Sequence, residues 1–261
     1  MKIAFLLKGA ISKSSGKSSL PDGVYREGQY VNFVGGANSI KKHIVEANPD
    51  CEFDFFLHSW HPDLGDELVS LYNPTKHLFE SNDTYKDKLL KLLADTNSLE
   101  QFYGQTAMCL SFKKVTELLQ SYVEETHKEY DLVIFYRYDV LLWKDMKLSE
   151  YLPEKMYVDA DAKCGAIADF HFVMNYDNAI EFGLNLYDSI SIENPPRDHR
   201  VVQGFVKNYM NSQLTMDDIV AGEHQEVIRK LMPMVTNEKI SVSALNDFGI
   251  TVKELQTYSE G

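Results

Sequence analysis

Short apolar runs of strand length, with a helical pattern between them, constrain the fold of this chain more than any other feature. Residues 3–7, 53–57 and 130–142 form such runs, whose continuous apolar character is typical of strands with both faces buried. Residues 105–127 lie between the second and third runs and repeat apolar side chains at helical spacing. Strands that alternate with helices predict an open, largely parallel α/β sheet, which binds ligands beyond the carboxyl ends of its strands.

Weaker patterns in the rest of the chain predict further elements of both kinds. We expect additional strands at 76–79, 156–158, 170–174 and 239–242, and additional helices at 39–47, 177–190 and 199–210. The stretch 12–28 is rich in Ser, Gly and Lys, which is typical of a loop. Because no internal repeat divides the chain, we expect a single domain over residues 1–261.

Composition and charge narrow the classes of partner. The 261 residues are 44% hydrophobic, which is enough for a sizeable core, and their formal net charge is −13. So acidic a surface repels phosphate backbones and anionic lipid, and we expect no nucleic-acid partner. No apolar run approaches about 20 residues, and the three cysteines include no CxxC pair. We therefore expect a cytoplasmic protein with reduced thiols and no transmembrane segment.

The loop after the first predicted strand contains one possible phosphate-binding motif. Gly16-Lys17-Ser18 matches the end of a P-loop, but Ile11 stands where that motif requires its first glycine. A P-loop also opens directly into a helix, and Pro21 interrupts the chain where that helix would begin. A chance match in a loop is the favoured interpretation, and a kinase or sulfotransferase of the P-loop type is the less favoured alternative.

Arg137 and Asp139 lie near the end of the most strand-like stretch, at the edge where such a sheet binds ligand. They alternate with Tyr138, so their side chains are expected on the same face. A buried, isolated carboxylate is costly, and Asp139 is therefore expected to be paired or bound to a metal. The residues alone leave two interpretations open. One is a structural Arg–Asp pair, and the other is a carboxylate that binds a divalent cation beside an arginine that holds a diphosphate.

Three further aspartates are weaker candidates. Asp159 and Asp161 form a literal DxD sequence, but their loop-like context favours a solvated acidic turn. Asp169 comes just before the apolar stretch 170–173. At that position a carboxylate can serve as a general base, bind a sugar hydroxyl, or simply begin the strand.

Several motifs taken together resemble a family of small glycosyltransferases that are encoded in bacterial surface-polysaccharide clusters and in large DNA viruses. The motifs are FDFFLHSW at 53–60, LYNP at 71–74, FYGQ at 102–105, YDLVI at 130–134, RYDV at 137–140 and IADFHF at 167–172. In that family, RxD takes the place of the DxD motif of nucleotide-sugar transferases with the GT-A fold.

The resemblance implies a GT-A-like (Rossmann-like) open mixed sheet flanked by helices. A nucleotide-sugar-binding half would occupy residues 1–140, and an acceptor half with the C-terminal segment would occupy 141–261. The implied activity is transfer of a sugar from a UDP- or GDP-sugar to a hydroxyl of a glycan or glycoconjugate, assisted by Mn²⁺ or Mg²⁺. A catalytically inactive sugar-binding protein with the same fold is the alternative.

The same resemblance assigns roles to individual residues. Asp139 would bind the metal, and Asp169 would be the catalytic base or a ligand of the acceptor hydroxyl. The nucleotide sugar would be bound at the ends of the first strands and at the start of the long helix, by Lys8, Gly9, His58, Trp60, Gln105 and Arg137.

Overall fold

The computed structural model describes residues 1–9, 11, 33–142, 145–161, 166–197, 200–210, 219–221 and 228–230. Its strands are β1 (Lys2–Gly9), β2 (Glu52–Ser59), β3 (Lys76–Phe79), β4 (Leu132–Arg137), β5 (Val140–Leu142), β6 (Met156–Asp161), β7 (Ala166–Met174), β8 (Ile219–Ala221) and β9 (Ile228–Lys230). Its α-helices are α1 (Phe33–Ile40), α2 (Gly65–Tyr72), α3 (Lys86–Asp95), α4 (Tyr103–Thr126), α5 (Tyr176–Asn185) and α6 (Arg200–Asn208). Within these residues, no helix combines the length and apolar character that crossing a membrane requires.

The described strands form one seven-stranded mixed sheet in the order β3-β2-β1-β4-β7-β6-β8, and β5 pairs separately with β9. The first four strands in this order run parallel to one another. β7 then pairs antiparallel with β4, and β6 antiparallel with β7. The predicted α/β class, with an open mixed sheet flanked by helices, is therefore confirmed.

The side chains of β1 contribute alternately to two hydrophobic cores, one on each face of the sheet, because successive side chains of a strand point to opposite faces. Ala4 and Leu6 belong to the core that contains α4 and α5. Ile3, Phe5 and Leu7 belong to the core on the other face, which α1, α2 and β5 cover. Strands buried on both faces are what the continuous apolar run predicted.

Helix α4 runs antiparallel to the first strands of the sheet. Its Ser111 bonds to His58 near the carboxyl end of β2, whereas its Ser121 and Glu125 bond to Lys76 at the start of β3. The amino end of α4 therefore points towards the edge at which the parallel strands end. This is the edge where ligands of open α/β sheets bind.

Several expected boundaries differ from the structure. The run 130–142 is two strands separated by a turn at Tyr138 and Asp139, and the helix expected at 39–47 begins earlier, as α1 at Phe33. Asp169 lies within β7 rather than before it, because β7 begins at Ala166. Helices α2 and α3 were not anticipated from the sequence. The loop 12–28 with its P-loop-like motif, and the strand expected at 239–242, lie outside the described residues.

Candidate active site

Strand register places three candidate side chains in one row. Lys8 of β1 is level with His58 of β2 on one side and with Arg137 of β4 on the other. Side chains that are level in neighbouring parallel strands share a face, and this face is the one that α4 covers. Lys8 Nζ lies 3.8 Å from the centre of the Phe112 ring of α4, and His58 is hydrogen-bonded to Ser111 of the same helix.

A cluster of four charged residues extends from this row. Arg137 donates from Nε and Nη2 to the two carboxylate oxygens of Asp139, at 2.7 and 2.6 Å. Its Nη1 donates to both oxygens of Asp169, at 2.7 and 2.8 Å. Lys8 Nζ lies 3.8 Å from Oδ2 of Asp169 and donates to the backbone carbonyl of Asp169 at 3.3 Å. Charges of opposite sign alternate along this ionic cluster, and their formal sum is zero.

Because the ionic cluster is buried, its charged groups strongly affect one another's pKa values. The side chains of Lys8, Asp169 and Asp139 are 1%, 3% and 10% exposed, and that of Arg137 is 19% exposed. Burial lowers the pKa of Lys8 to about 8, even though the charge of Asp169 opposes the shift. Burial also disfavours the charge of Arg137, but Asp139 and then Asp169 outweigh it and raise the pKa of the guanidinium. The arginine therefore stays charged at every pH at which the protein is folded.

Arg137 and Asp139 form an ion pair, as the structural interpretation of this motif predicts. A pair of this kind does not by itself prevent metal binding, because a carboxylate oxygen that accepts a hydrogen bond from Arg137 has a second lone pair. Mg²⁺ and Mn²⁺ bind through one or two carboxylates, completing an octahedron with water and phosphate oxygens. Asp139 therefore fits such an ion, although the described residues contain no group of three His, Cys, Asp or Glu that could hold a metal on its own.

Gly9 ends β1 in a conformation that favours glycine, with φ at +103°. Among the described residues, no atom lies within 4 Å of the position that a Cβ would occupy there. A side chain at this residue would be strained by the backbone conformation. A glycine next to Lys8, with no described neighbour above it, is a residue whose backbone a ligand can approach closely.

His58 occupies the centre of a buried polar network. Its Nδ1 is hydrogen-bonded to Ser111 Oγ at 2.6 Å, and its Nε2 is hydrogen-bonded to Glu80 Oε1 at 3.4 Å. Burial lowers the pKa of His58, despite the opposing effect of Glu80, so the ring is neutral near pH 7. Although Ser, His and Glu are joined as in hydrolases, Ser111 and His58 are completely buried, and no substrate can reach the hydroxyl.

The two remaining candidates, Trp60 and Gln105, lie at the same edge of the sheet. Trp60 follows β2 directly, and its backbone N–H donates to the carbonyl of Gly9 at 3.5 Å. Gln105 is in the first turn of α4, which points to this edge. Its position relative to a bound ligand remains a prediction.

Sequence reasoning missed two members of the polar network, Glu80 and Ser111. Glu80 directly follows β3, so the rule that ligands bind at the carboxyl ends of strands was a signal that could have identified it. Ser111 is in the middle of α4, and no local sequence pattern identifies it, because its role depends only on the strand against which it packs.

Comparisons with known proteins give a limited result. No protein-family model matches the chain, and no curated protein matches it. Among solved structures, the chain is similar to a crystal structure from Desulfovibrio desulfuricans G20, of a protein provisionally named a nucleotide-diphospho-sugar transferase. The identity is 11%, the match covers 85% of this chain and 79% of the other, and the TM-score is 0.42. At this level the likeness concerns general architecture only.

Proposed function

We propose that the protein is a glycosyltransferase that moves a sugar from a UDP- or GDP-sugar to a hydroxyl of a glycan or glycoconjugate. The observation that carries the proposal is the buried ionic cluster of Lys8, Arg137, Asp139 and Asp169 at the edge where the parallel strands of the mixed sheet end. Buried charges are costly, and perturbed charges gathered at a ligand-binding edge are typical of functional sites. A diphosphate is a ligand that a lysine and an arginine at this edge are suited to bind.

In this proposal, Arg137 is the cation that contacts the donor's diphosphate, and the buried Lys8 adds positive charge behind it. The nucleotide approaches the backbone at Gly9, where no described atom would meet a Cβ. Asp139, fixed in direction by the Arg137 fork, is the ligand for Mn²⁺ or Mg²⁺. When bound, such an ion neutralises the charge that develops on the leaving diphosphate.

Asp169 is the proposed catalytic residue, as a base for the acceptor hydroxyl or as its hydrogen-bonding partner. Both of its oxygens accept hydrogen bonds from Arg137, and it is 2% exposed. A base must lie within about 3 Å of the proton that it removes. The proposal therefore requires that Asp169 uses an acceptor site that Arg137 leaves open, or that donor binding draws Arg137 away.

The direct test is a thermal-shift and Kd screen of UDP- and GDP-sugars with purified protein, in Mn²⁺ and in EDTA, followed by assays of donor hydrolysis and transfer. A ligand that binds only the native state raises the melting temperature by mass action. We expect a shift with at least one nucleotide sugar, a smaller shift in EDTA, and turnover. The chelator is the better metal probe, because Asp139→Asn would also break a buried pair with Arg137.

Two alternatives make different predictions in the same screen. An inactive sugar-binding protein would bind the donor without hydrolysis or transfer. A P-loop kinase or sulfotransferase would lose activity in Lys17→Ala and keep it when the ionic cluster is altered. The double variant Asp159→Asn with Asp161→Asn is the control for the other DxD sequence, and we expect its donor affinity to stay within a few-fold of wild type.

A further inference from the structure

Three buried polar atoms at the carboxyl-end edge have no hydrogen-bond partner in the described part of the protein. They are Nε1 of Trp60, Oδ1 of Asn82 and Oε1 of Gln105. Trp60 and Asn82 are 3% and 7% exposed. Leaving a buried donor or acceptor unpaired costs about 1–3 kcal/mol each, so such atoms in a folded protein call for an explanation.

The three residues lie beyond the ends of β2 and β3 or in the first turn of α4, at the edge where the parallel strands end. Trp60 is two residues past His58, or about 6.6 Å along the strand direction. Gln105 precedes Ser111, the partner of His58, by six residues of helix, or about 9 Å. Asn82 comes three residues after Phe79, which is level with Ser59 at the end of β2. Three separate elements therefore bring these atoms to one edge.

The indole of Trp60 is held from two sides by rings that share one carboxylate. The His58 ring packs edge-on to the indole at 4.4 Å, and the Tyr85 ring packs at 5.8 Å. Glu80 is hydrogen-bonded to His58 Nε2 through one oxygen and accepts from the hydroxyl of Tyr85 at 3.0 Å through the other. The network thus fixes the orientation of an N–H group that has no partner among the described residues. Groups held rigidly in this way are preorganised for a ligand.

The chemistry of the three atoms defines what would satisfy them. One is an N–H donor and two are carbonyl acceptors. Two neighbouring hydroxyl groups supply two O–H donors and several acceptor lone pairs, which matches this set. A phosphate cannot donate to the two carbonyl oxygens when ionised, and an apolar group satisfies none of the three.

We propose that Trp60, Asn82 and Gln105 form a subsite for a vicinal diol of the donor, either of its ribose or of its transferred sugar. Asn82 is thereby assigned as a binding residue that no sequence motif indicated. The inference rests on the proposed function, because it takes the bound molecule to be a nucleotide sugar. Glu80 is a positioning residue in this subsite, acting through His58 and Tyr85.

The experiment measures Kd and thermal shift for wild type, Asn82→Leu, Trp60→Phe and Gln105→Met. The probes are UDP, 2′,3′-dideoxy-UDP, UDP-glucose and the corresponding GDP compounds. Tyr72→Phe is the matched control, since the Tyr72 hydroxyl is also buried without a hydrogen-bond partner among the described residues but lies in the core on the opposite face. We expect each subsite variant to bind the donor about tenfold more weakly, as the loss of one hydrogen bond predicts. Melting temperatures without ligand should be unchanged or raised in Asn82→Leu and Gln105→Met, because each replaces an unsatisfied group by an apolar one of similar size.

The probes separate the two sources of the diol. If the ribose occupies the subsite, the variants bind UDP or GDP itself more weakly, and wild type binds the dideoxy form at least as weakly as any single variant binds the parent nucleotide. If the transferred sugar occupies it, the variants bind UDP and GDP normally and lose the extra affinity for UDP-glucose or GDP-glucose. Both results support the subsite.

Two other outcomes overturn the inference and can be told apart. Wild-type binding of a nucleotide sugar with unchanged Kd in all three variants, as in Tyr72→Phe, means that the atoms meet only buried water. No binding of any nucleotide sugar by wild type overturns the proposed function and the subsite with it. If one variant fails to fold, the other two still decide between these results.

Discussion

The two ends of the same three strands carry charged clusters that differ in burial. At the amino ends of β1, β2 and β4, Lys128 pairs with Glu52 and with Asp54, both at 2.6 Å. Lys128 and Asp54 are partly exposed, and Glu52 is 60% exposed. At the carboxyl ends lies the ionic cluster of Lys8, Arg137, Asp139 and Asp169, whose lysine and two carboxylates are at most 10% exposed, while Arg137 is 19% exposed, as Lys128 is. The carboxylates at the carboxyl ends are therefore less exposed to solvent than those at the amino ends.

The difference teaches that distance alone does not identify a functional ion pair. An exposed pair contributes about 0–1 kcal/mol, because water screens it and two side chains lose freedom. Removing four charges from water can cost more free energy than their mutual attraction returns. Apolar replacements of such groups therefore often leave proteins equally stable. The cluster at the carboxyl ends therefore favours a functional explanation, whereas the exposed cluster needs only a structural one.

The largest effect is expected when Arg137 is replaced by methionine. Arg137→Met leaves Asp139 and Asp169 buried without their guanidinium partner. We expect the free energy of unfolding to fall by about 3–5 kcal/mol, as for other broken buried ion pairs. Urea denaturation followed by circular dichroism measures this change. A loss below about 1 kcal/mol would place this cluster in the same class as the exposed one and would remove the contrast.

The next effect concerns turnover rather than stability. Asp169→Asn should lower transfer by about 10²–10⁴ if Asp169 is the base, while the donor-induced thermal shift persists. The acid limb of the pH–rate profile should disappear with it. Equal losses of donor affinity and turnover would make Asp169 a binding residue held by Arg137, and full activity would make it a structural member of the cluster.

A smaller effect follows from the pKa of Lys8. That pKa is lowered from 10.5 to about 8 by burial, so between these values the unfolded chain binds more protons than the native protein. The free energy of unfolding therefore rises with pH in that window, by about 1.5 kcal/mol between pH 8 and 9.5.

The control variant for this rise in stability with pH is Lys8→Met, which keeps a long side chain and removes the titrating group. Urea unfolding of both proteins from pH 7 to 9.5 should show the rise in wild type only. The range stops below pH 10 because buried tyrosines with raised pKa values, such as Tyr187, lower stability once unfolded phenols ionise. Parallel pH curves for the two proteins would contradict the buried charge of Lys8.

The smallest effect is expected at the amino ends of the strands. Lys128→Met removes the partner of Glu52 and Asp54 but leaves both carboxylates in contact with solvent. We expect a loss of at most about 1 kcal/mol in urea unfolding, reduced further in 0.5 M salt, and no change in donor affinity. A loss as large as that of Arg137→Met would show that burial is not what separates the two clusters.

The strands near the site were predictable from the sequence, because continuous apolar runs have few alternatives to a buried strand. The runs 3–7 and 53–57 became the centres of β1 and β2, and the long helix was found within two residues of its ends. The direction of β7 was not predictable, since an apolar run has the same pattern whether it pairs parallel or antiparallel. Asp169 reaches Arg137 because β7 runs antiparallel to β4.

By itself, the sequence determined which residues end the buried strands, and hence that Lys8, His58 and Arg137 lie at one edge of an α/β sheet. Local apolar patterns were sufficient for this, because a buried strand needs only a short run of suitable side chains. Only the tertiary structure decided which of these residues touch one another. Lys8 meets Asp169 across 161 residues of chain, and the strand order that joins them depends on pairing and on the packing of α4. Contacts of that range follow from how whole elements assemble, and no local spacing of residues encodes them.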